Sequence, residues 1–228
     1  MSNIAWNKED DDEMYVFLCE NDFTGLEIAP TRIFPENPYE KLIEAKKFAQ
    51  NLNKRYGLSI SSIQSILYGK SENIFNSVNE REKLINYTKK AIDFAEAVRC
   101  KNLVFGCSKN RNIPPNYPAD KIFETAFVFF NEIGHYARKK GTVIALEPNP
   151  IIYGTNFINS TKEAFDFCRQ SGIDSLKVNV DLGTIIYAHE KENILYENIE
   201  LINHIHISEP YLLPIEKRNI HKAIKNLS

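Results

Sequence analysis

Short runs rich in branched aliphatic residues alternate with longer amphipathic runs along the whole chain, and this alternation limits the possible folds more than any other feature. The short runs, which are the candidate strands, occupy residues 2–6, 25–29, 58–64, 102–106, 142–147, 176–181 and 203–208. Between them, apolar residues recur three and four positions apart, which is the period of one face of a helix. Strands and helices that alternate in this way are typical of an α/β protein with a parallel sheet.

Two of the amphipathic runs begin with a helix start signal. Asn79 is followed three positions later by Glu82, and Ser160 is followed three positions later by Glu163. This is the spacing of a capping box, in which the first side chain accepts a hydrogen bond from the first turn of the helix. The sequence therefore predicts helices that begin directly after Asn79 and Ser160.

Two architectures contain a parallel sheet with crossover helices, a doubly wound open sheet and a barrel. No G-x-G-x-x-G motif and no glycine-rich phosphate loop follows the first strand, which disfavours the doubly wound nucleotide-binding sheet. We therefore predict the α/β class and a (β/α)8 TIM-type barrel. Only seven strands are recognisable, and a closed barrel typically takes about 250 residues. We expect residues 1–228 to form a single barrel domain that lacks the final strand and helix.

Composition and charge favour a small-molecule partner. The net charge is −2 over 228 residues, with acids and bases interspersed, so no basic surface for nucleic acid or a membrane is expected. No apolar run approaches the roughly 20 residues that a membrane-spanning helix needs, and the N-terminus has no pattern of a secretion signal. The four cysteines form no C-x-x-C pair, which is typical of reduced thiols in a cytoplasmic protein.

Alternation within the strands places a set of polar side chains on the inside of the predicted barrel. In the later strands the aliphatic residues face one way and the polar residues face the other. The predicted inward polar residues are Asn3, Glu27, Gln64, Asn102, Glu147, Asn179, Asp181, His204, His206 and Ser208. Barrel interiors are usually filled with bulky apolar residues, and buried polar groups are costly without partners. We therefore expect this polar ring to bind something.

Three of these residues, Glu147, Asp181 and His206, end successive strands, where the active sites of barrels lie. Two carboxylates and an imidazole suit a divalent ion such as Mn²⁺, Mg²⁺, Co²⁺ or Zn²⁺. Such an ion could hold two sugar oxygens and polarise a carbonyl, and Glu147 is the candidate base. The candidate contacts to sugar hydroxyls are Asn3, Glu27, Gln64, Asn149, Asn179 and His204, although a buried polar network would use the same residues.

Each part of this pattern also has a structural interpretation. Glu147 followed by Pro148 could simply close a strand, and Asp181 could cap the segment that follows it. One of His204 and His206 could be a hydrogen-bonded structural histidine. The occurrence of all three ligands at the ends of three successive strands favours a functional site.

Five segments in order carry a family resemblance. They are Ser2-Asn3-Ile4-Ala5-Trp6, Gly25-Leu26-Glu27-Ile28-Ala29-Pro30, Glu147-Pro148-Asn149-Pro150, Asp181-Leu182-Gly183-Thr184 and His204-Ile205-His206-Ile207-Ser208-Glu209-Pro210. Over nearly its whole length the chain resembles the xylose isomerase-like superfamily. It is most similar to sugar phosphate isomerase/epimerase proteins of the AP endonuclease family 2 type.

The resemblance implies a metal site and a reaction. In the family, a Glu, an Asp and a His on strands five, six and seven bind the metal, and they match Glu147, Asp181 and His206. A second Glu on strand eight completes the acid/base pair of ketose epimerases, and this sequence has no counterpart. Thr184 and Leu212 replace a His and an Arg of the ketose epimerases, with Arg218 as an unaligned substitute for the Arg.

These observations predict a sugar or sugar phosphate isomerase/epimerase-like protein with weak metal binding and little or no epimerase activity. The alternatives are a non-catalytic protein that binds sugar or metal and, less favoured, an endonuclease IV-like repair enzyme. An endonuclease IV-like enzyme needs several additional histidines on its early strands. This chain has Gln64 and Gly106 near such positions. A missing strand could reflect a truncated sequence, a partner chain or an inactive relative. The open barrel edge would favour a homo-oligomer.

Overall fold

Six parallel strands form one sheet in the computed structural model, which describes residues 1–225. The strands are β1 (Gly25–Ile28), β2 (Ser59–Ile63), β3 (Asn102–Phe105), β4 (Val143–Leu146), β5 (Leu176–Asp181) and β6 (Ile202–His206). Their spatial order is the same as their order along the chain, and each neighbouring pair is parallel. The sheet curls so far that His206 on β6 lies 2.9 Å from Glu27 on β1. The predicted α/β, TIM-type fold is confirmed, as a curled part of a barrel.

Helices cross from strand to strand along the chain. They are α1 (Asp11–Glu20), α2 (Pro30–Ile33), α3 (Leu42–Tyr56), α4 (Val78–Ala97), α5 (Ile122–Lys139), α6 (Thr161–Ser171), α7 (Leu182–Tyr187), α8 (Asn193–Tyr196) and α9 (Ile220–Lys225). Short 3-10 helices occupy Lys8–Asp10, Pro38–Glu40, Ser108–Arg111, Ala119–Lys121, Ile151–Tyr153, Ile199–Leu201 and Pro210–Leu212. The apolar faces of the long helices pack against the aliphatic face of the sheet; Phe129 and Phe130 of α5, for example, contact Phe105 of β3.

The prediction of a strand at residues 2–6 is wrong. Only Ser2 pairs with the sheet, through an isolated bridge to Glu27. The chain then turns, because the Ala5 amide donates to the Ser2 carbonyl and the Trp6 indole donates to Asp11. The described residues therefore contain six strands and a bridge where the sequence predicts seven strands.

One of the two predicted helix starts is confirmed. Ser160 caps α6 and its hydroxyl accepts from the Glu163 amide. The start predicted at Asn79 is wrong, because Ser77 is the cap of α4 and accepts from the Glu80 amide. The same S-x-x-E spacing occurs two positions earlier than the pair chosen from the sequence.

All four cysteines are free thiols, and Cys100 and Cys168 are buried. Burial raises the pKa of both thiols to about 12, so they stay protonated at neutral pH.

Within residues 1–225, no helix combines the length and apolar character needed to cross a bilayer.

Candidate active site

Polar side chains from five of the six strands meet inside the curled sheet, as alternation predicts. Asn3 and Asn179 are fully buried, and Glu27 is 6% exposed. Asn203 on β6, an exposed residue that alternation groups with Ile205, also donates to Asn102 on β3 at 2.6 Å. Buried polar groups need partners, and hydrogen bonds supply many of them, whereas Asn3 Nδ2 and Asn179 Oδ1 are buried without a partner among the described residues.

Glu147, Asp181 and His206 come together at the carboxyl ends of β4, β5 and β6. One candidate ligand atom from each of the three lies within 4.8 Å of the others. His206 Nδ1 is 2.7 Å from Glu147 Oε1. The register explains this arrangement, since Asp181 pairs directly with His206 in the ladder and Glu147 is the first residue after β4. Two carboxylates and one imidazole are a donor set that fits a divalent cation.

Asp181 also has the structural role considered in the sequence. It is the N-cap of α7, and its Oδ1 accepts from the amide of Thr184 at 2.7 Å. Oδ2 accepts from the Ser208 hydroxyl at 2.6 Å. Burial raises the pKa of Asp181, and the neighbouring charge of Glu147 raises it further. Gly183 leaves the space for this arrangement, because a Cβ there would lie 2.7 Å from Ser208 Oγ.

The two oxygens of Glu147 face different surroundings. Oε1 accepts from Asn179 Nδ2 at 2.6 Å and faces His206. Oε2 lies above Gly106, where a Cβ would be only 2.1 Å away. A residue that merely closed a strand would not need this space, so the arrangement favours a functional role for the carboxylate.

The other ring nitrogen of His206 is held by Glu27. His206 Nε2 lies 2.9 Å from Glu27 Oε2, while Glu27 Oε1 accepts from Gln64 Nε2 at 2.8 Å. Burial would lower the pKa of His206, but hydrogen bonds to Glu147 and Glu27 outweigh burial and raise it to about 11. Burial would likewise raise the pKa of Glu27, and the hydrogen bond from His206 reverses that effect and lowers it.

His204 and His206 lie on one side of β6, as their spacing predicts. Their rings meet edge to face with centroids 5.3 Å apart. His204 Nε2 is 3.6 Å from Glu27 Oε2, so Glu27, His204 and His206 form a second group with ligand atoms within 4.8 Å of one another. Burial and the nearby His206 lower the pKa of His204.

Arg111 holds the side chain of Asn149. Arg111 Nη2 donates to Asn149 Oδ1 and to the Glu147 carbonyl, each at 2.7 Å. Arg111 is fully buried, and burial lowers its pKa to about 10, so the cation persists at neutral pH. Nothing in the sequence marks this residue, since it lies in a polar segment that is typical of an exposed loop.

A cavity of about 440 Å³ opens beside Glu147. The segments that follow β2 and β3 form its walls, and Gln64, Gly106 and Glu147 are among the residues that line it. Arg218, the possible substitute for a substrate-binding arginine, does not line this cavity. Its Nε contacts both carboxylate oxygens of Glu209 at 2.8 Å.

Comparison with known proteins gives one family match. The family model described as xylose isomerase-like TIM barrel matches residues 18–221. No curated protein matches the chain.

Solved structures share this fold at low sequence identity. The 3-keto-D-glucoside 4-epimerase from E. coli has a TM-score of 0.78 and 18% identity, over 100% of this chain and 85% of the epimerase. A D-psicose 3-epimerase has a TM-score of 0.74 and 15% identity, over 94% and 75%. An AP endonuclease of family 2 from Brucella melitensis has a TM-score of 0.71 and 16% identity, over 94% and 82%. These similarities concern the fold alone.

Proposed function

The chain belongs to the xylose isomerase-like TIM barrel family, and on that basis we propose that it is a divalent-metal-dependent isomerase or epimerase of sugars or sugar phosphates. Two of the neighbours in fold are named as sugar epimerases, one acting on a 3-keto-D-glucoside and one on D-psicose. Their names support a sugar as the substrate class. The net charge of −2 gives less support to a nucleic acid substrate.

The observation that carries the proposal is the placement of the Glu147 carboxylate. One oxygen belongs to the group formed with Asp181 and His206, and the residue also lines the adjacent cavity. A substrate in this cavity would therefore lie beside both the ligand group and a carboxylate. A sugar ring fits a cavity of this size, since ligand pockets commonly enclose about 300–1,000 Å³.

We propose Glu147, Asp181 and His206 as the protein ligands of the cation. A bound divalent ion would polarise a sugar carbonyl and acidify the proton on the neighbouring carbon. Thr184 and Ser208 hold Asp181, and Asn179 holds Glu147, so the side chains are oriented before any ligand arrives. We expect this orientation to keep the ligand atoms facing one point.

Glu147 is the proposed base. Its Oε2 faces the space above Gly106, from which it can accept a proton from a substrate carbon. Gln64 also lines the cavity and is the proposed contact to a hydroxyl. Asn3, Asn179 and Glu27 would support the site from the barrel interior, and Asn149 would support it through Arg111.

The cavity favours proton exchange on one face of the substrate over epimerisation. Among the described residues that line it, Glu147 is the one carboxylate. Inversion at carbon requires a proton to leave one face and return to the other, whereas one base can remove and return a proton on the same face. We therefore propose that exchange with solvent is faster than formation of the epimer, in line with the low epimerase activity expected from the sequence.

The test is solvent exchange measured by NMR. The Mn²⁺-treated protein is incubated in heavy water with D-fructose, D-psicose, D-tagatose and their phosphates, and exchange is read after the metal is removed. We expect deuterium to enter next to the carbonyl of at least one of them. Glu147→Gln should abolish this exchange, while Glu132→Gln, a change at an exposed carboxylate paired with Lys89, should retain it. Absence of exchange in a folded protein with bound metal would contradict the proposal and favour a non-catalytic binding protein.

A further inference from the structure

His206 takes part in two ligand groups at once. Its Nδ1 contacts Glu147 and its Nε2 contacts Glu27; Asp181 belongs to the first group and His204 to the second. We propose that Glu27, His204 and His206 form a second metal site, selective for zinc-like ions, which is mutually exclusive with the site of Glu147 and Asp181. This inference concerns ion binding and does not depend on turnover of a sugar.

The geometry of the second group suits a small cation. Glu27 Oε2 lies 2.9 Å from His206 Nε2 and 3.6 Å from His204 Nε2. Ligand atoms about 2.0–2.1 Å from a tetrahedral zinc ion lie about 3.4 Å apart, between these two distances. Gln64 occupies the other oxygen of Glu27, which leaves Oε2 directed at the two rings. The imidazole of His204 makes no hydrogen bond within residues 1–225, and its Nε2 lies 3.6 Å from Glu27 Oε2, so this nitrogen is available to a ligand.

The chemistry of a neutral imidazole makes the two sites exclusive. A cation that binds either nitrogen of His206 displaces the proton on that nitrogen into solvent. The neutral ring then carries one N–H and one lone pair, so it can bind a cation through only one nitrogen. With a cation at Nδ1, the Nε2–H donates to Glu27; with a cation at Nε2, the Nδ1–H donates to Glu147. In either state a carboxylate holds the second nitrogen, as is usual for metal-bound histidines. Changing sites therefore needs a change of tautomer and no rotation of the ring.

The two donor sets differ in the ions that they favour. Glu147, Asp181 and His206 offer two oxygens and one nitrogen, which suits Mn²⁺ or Mg²⁺. Glu27, His204 and His206 offer two nitrogens and one oxygen, a His₂Glu set that is found in catalytic zinc sites. His204 is 26% exposed and lines a surface depression next to β6, so an ion can reach it from outside the barrel.

The test is competition between two ions on the intact chain. The electron paramagnetic resonance signal of free Mn²⁺ reports release of Mn²⁺ when Zn²⁺ is added. We expect Zn²⁺ to release the bound Mn²⁺ with about one ion bound in total, because His206 provides only one lone pair. Simultaneous binding of both ions would overturn the inference.

Two variants separate this exchange from simple competition at one site. His204→Gln should weaken Zn²⁺ binding by at least about tenfold and leave Mn²⁺ affinity nearly unchanged. Asp181→Asn should do the reverse. An unchanged Zn²⁺ affinity in a folded His204→Gln protein would overturn the inference, since Zn²⁺ would then be using the site of Glu147 and Asp181.

A measurement on the unaltered protein covers the case in which a variant does not fold. Among the signals of the five histidines, Zn²⁺ should shift the ring resonances of His204 and His206 together, whereas Mg²⁺ should shift mainly those of His206. A Zn²⁺ titration that leaves the His204 ring unaffected would contradict the second site.

Discussion

At Gly106 the absence of a side chain leaves room for a carboxylate. The ideal Cβ position lies 2.1 Å from Glu147 Oε2 and 3.2 Å from Glu147 Cδ, so a methyl group and the carboxylate cannot both occupy this space. The glycine thus leaves the space that the carboxylate of the proposed base occupies. A side chain at this position would displace that carboxylate.

Gly106→Ala should therefore weaken metal binding by at least about tenfold, the effect typical of disturbing a ligand's support. Mn²⁺ titration by calorimetry measures the change. Gly141→Ala is the matched control, because it adds strain at a φ of +70° with no atom within 4 Å of the new methyl group. Equal Mn²⁺ affinity in Gly106→Ala and the unaltered protein would show that Glu147 Oε2 has no role in the site.

Arg111 supports Glu147 by donating a hydrogen bond to its backbone carbonyl. Arg111→Met should lower the free energy of unfolding by about 2–4 kcal/mol, because two charge-assisted hydrogen bonds are lost and the Glu147 carbonyl is left without this donor. Urea unfolding measures the loss. Arg138→Met removes an exposed cation paired with Asp174 and should change stability by less than about 0.5 kcal/mol. Equal effects of the two changes would argue against the anchoring role of Arg111.

Sequence reasoning succeeds for residues whose position follows from alternation. It places Glu147, Asp181 and His206 together, because parallel strands end at one level and side chains alternate along them. It misses Arg111, because the contacts that bury this residue come from a loop and depend on the fold of the whole chain. That the three ligands bind a metal stays a prediction.

Among the elements, strands inside the barrel are more predictable than the segment at its edge. The six confirmed strands each span at least four residues and contain branched aliphatic side chains, and helices lie between them. Residues 2–6 also look extended, but they lie beside β1 with only Ser2 in the ladder, and Asn3 Oδ1 binds the Ala29 amide instead. Tertiary hydrogen bonds outside a ladder leave no periodic pattern in the sequence.

The start of α4 gives a test at the scale of one element. Ser77→Ala should destabilise the protein by about 1 kcal/mol, since the hydroxyl that caps the Glu80 amide is lost. Asn79→Ala, at the position that the sequence suggests as the cap, should change stability by less than about 0.5 kcal/mol. Thermal unfolding compares the two variants, and a larger loss from Asn79→Ala would contradict the observed helix start.

On the scale of the whole molecule, apolar surface is concentrated in the segment that follows β6. Ile207, Leu212, Leu213 and Ile215 are each between 55% and 81% exposed. Exposed apolar patches commonly mark interaction sites, and these four side chains lie within nine residues along the chain. The sheet order also shows no strand beyond β6 within residues 1–225, so the outer edge of β6 adds unpaired backbone groups there.

We therefore expect the protein to self-associate, as the open barrel edge predicts. Sedimentation velocity over a micromolar concentration series should show a mass that rises with concentration. Leu212→Ser with Leu213→Ser should shift this equilibrium toward the monomer, while Ile43→Ser, at an equally exposed residue on α3, should not. A monomer at every concentration would contradict the expectation.

Calorimetric titration of Mn²⁺ into metal-stripped protein tests most directly whether Glu147, Asp181 and His206 form a metal site. We expect saturable binding of about one ion per chain, weakened at least about tenfold in Asp181→Asn, a change that keeps the size of the side chain but removes its charge. Asp174→Asn, at an exposed carboxylate that pairs with Arg138, should bind Mn²⁺ like the unaltered protein. No binding to the folded chain, or equal binding by Asp181→Asn, would contradict the proposed centre of Glu147, Asp181 and His206.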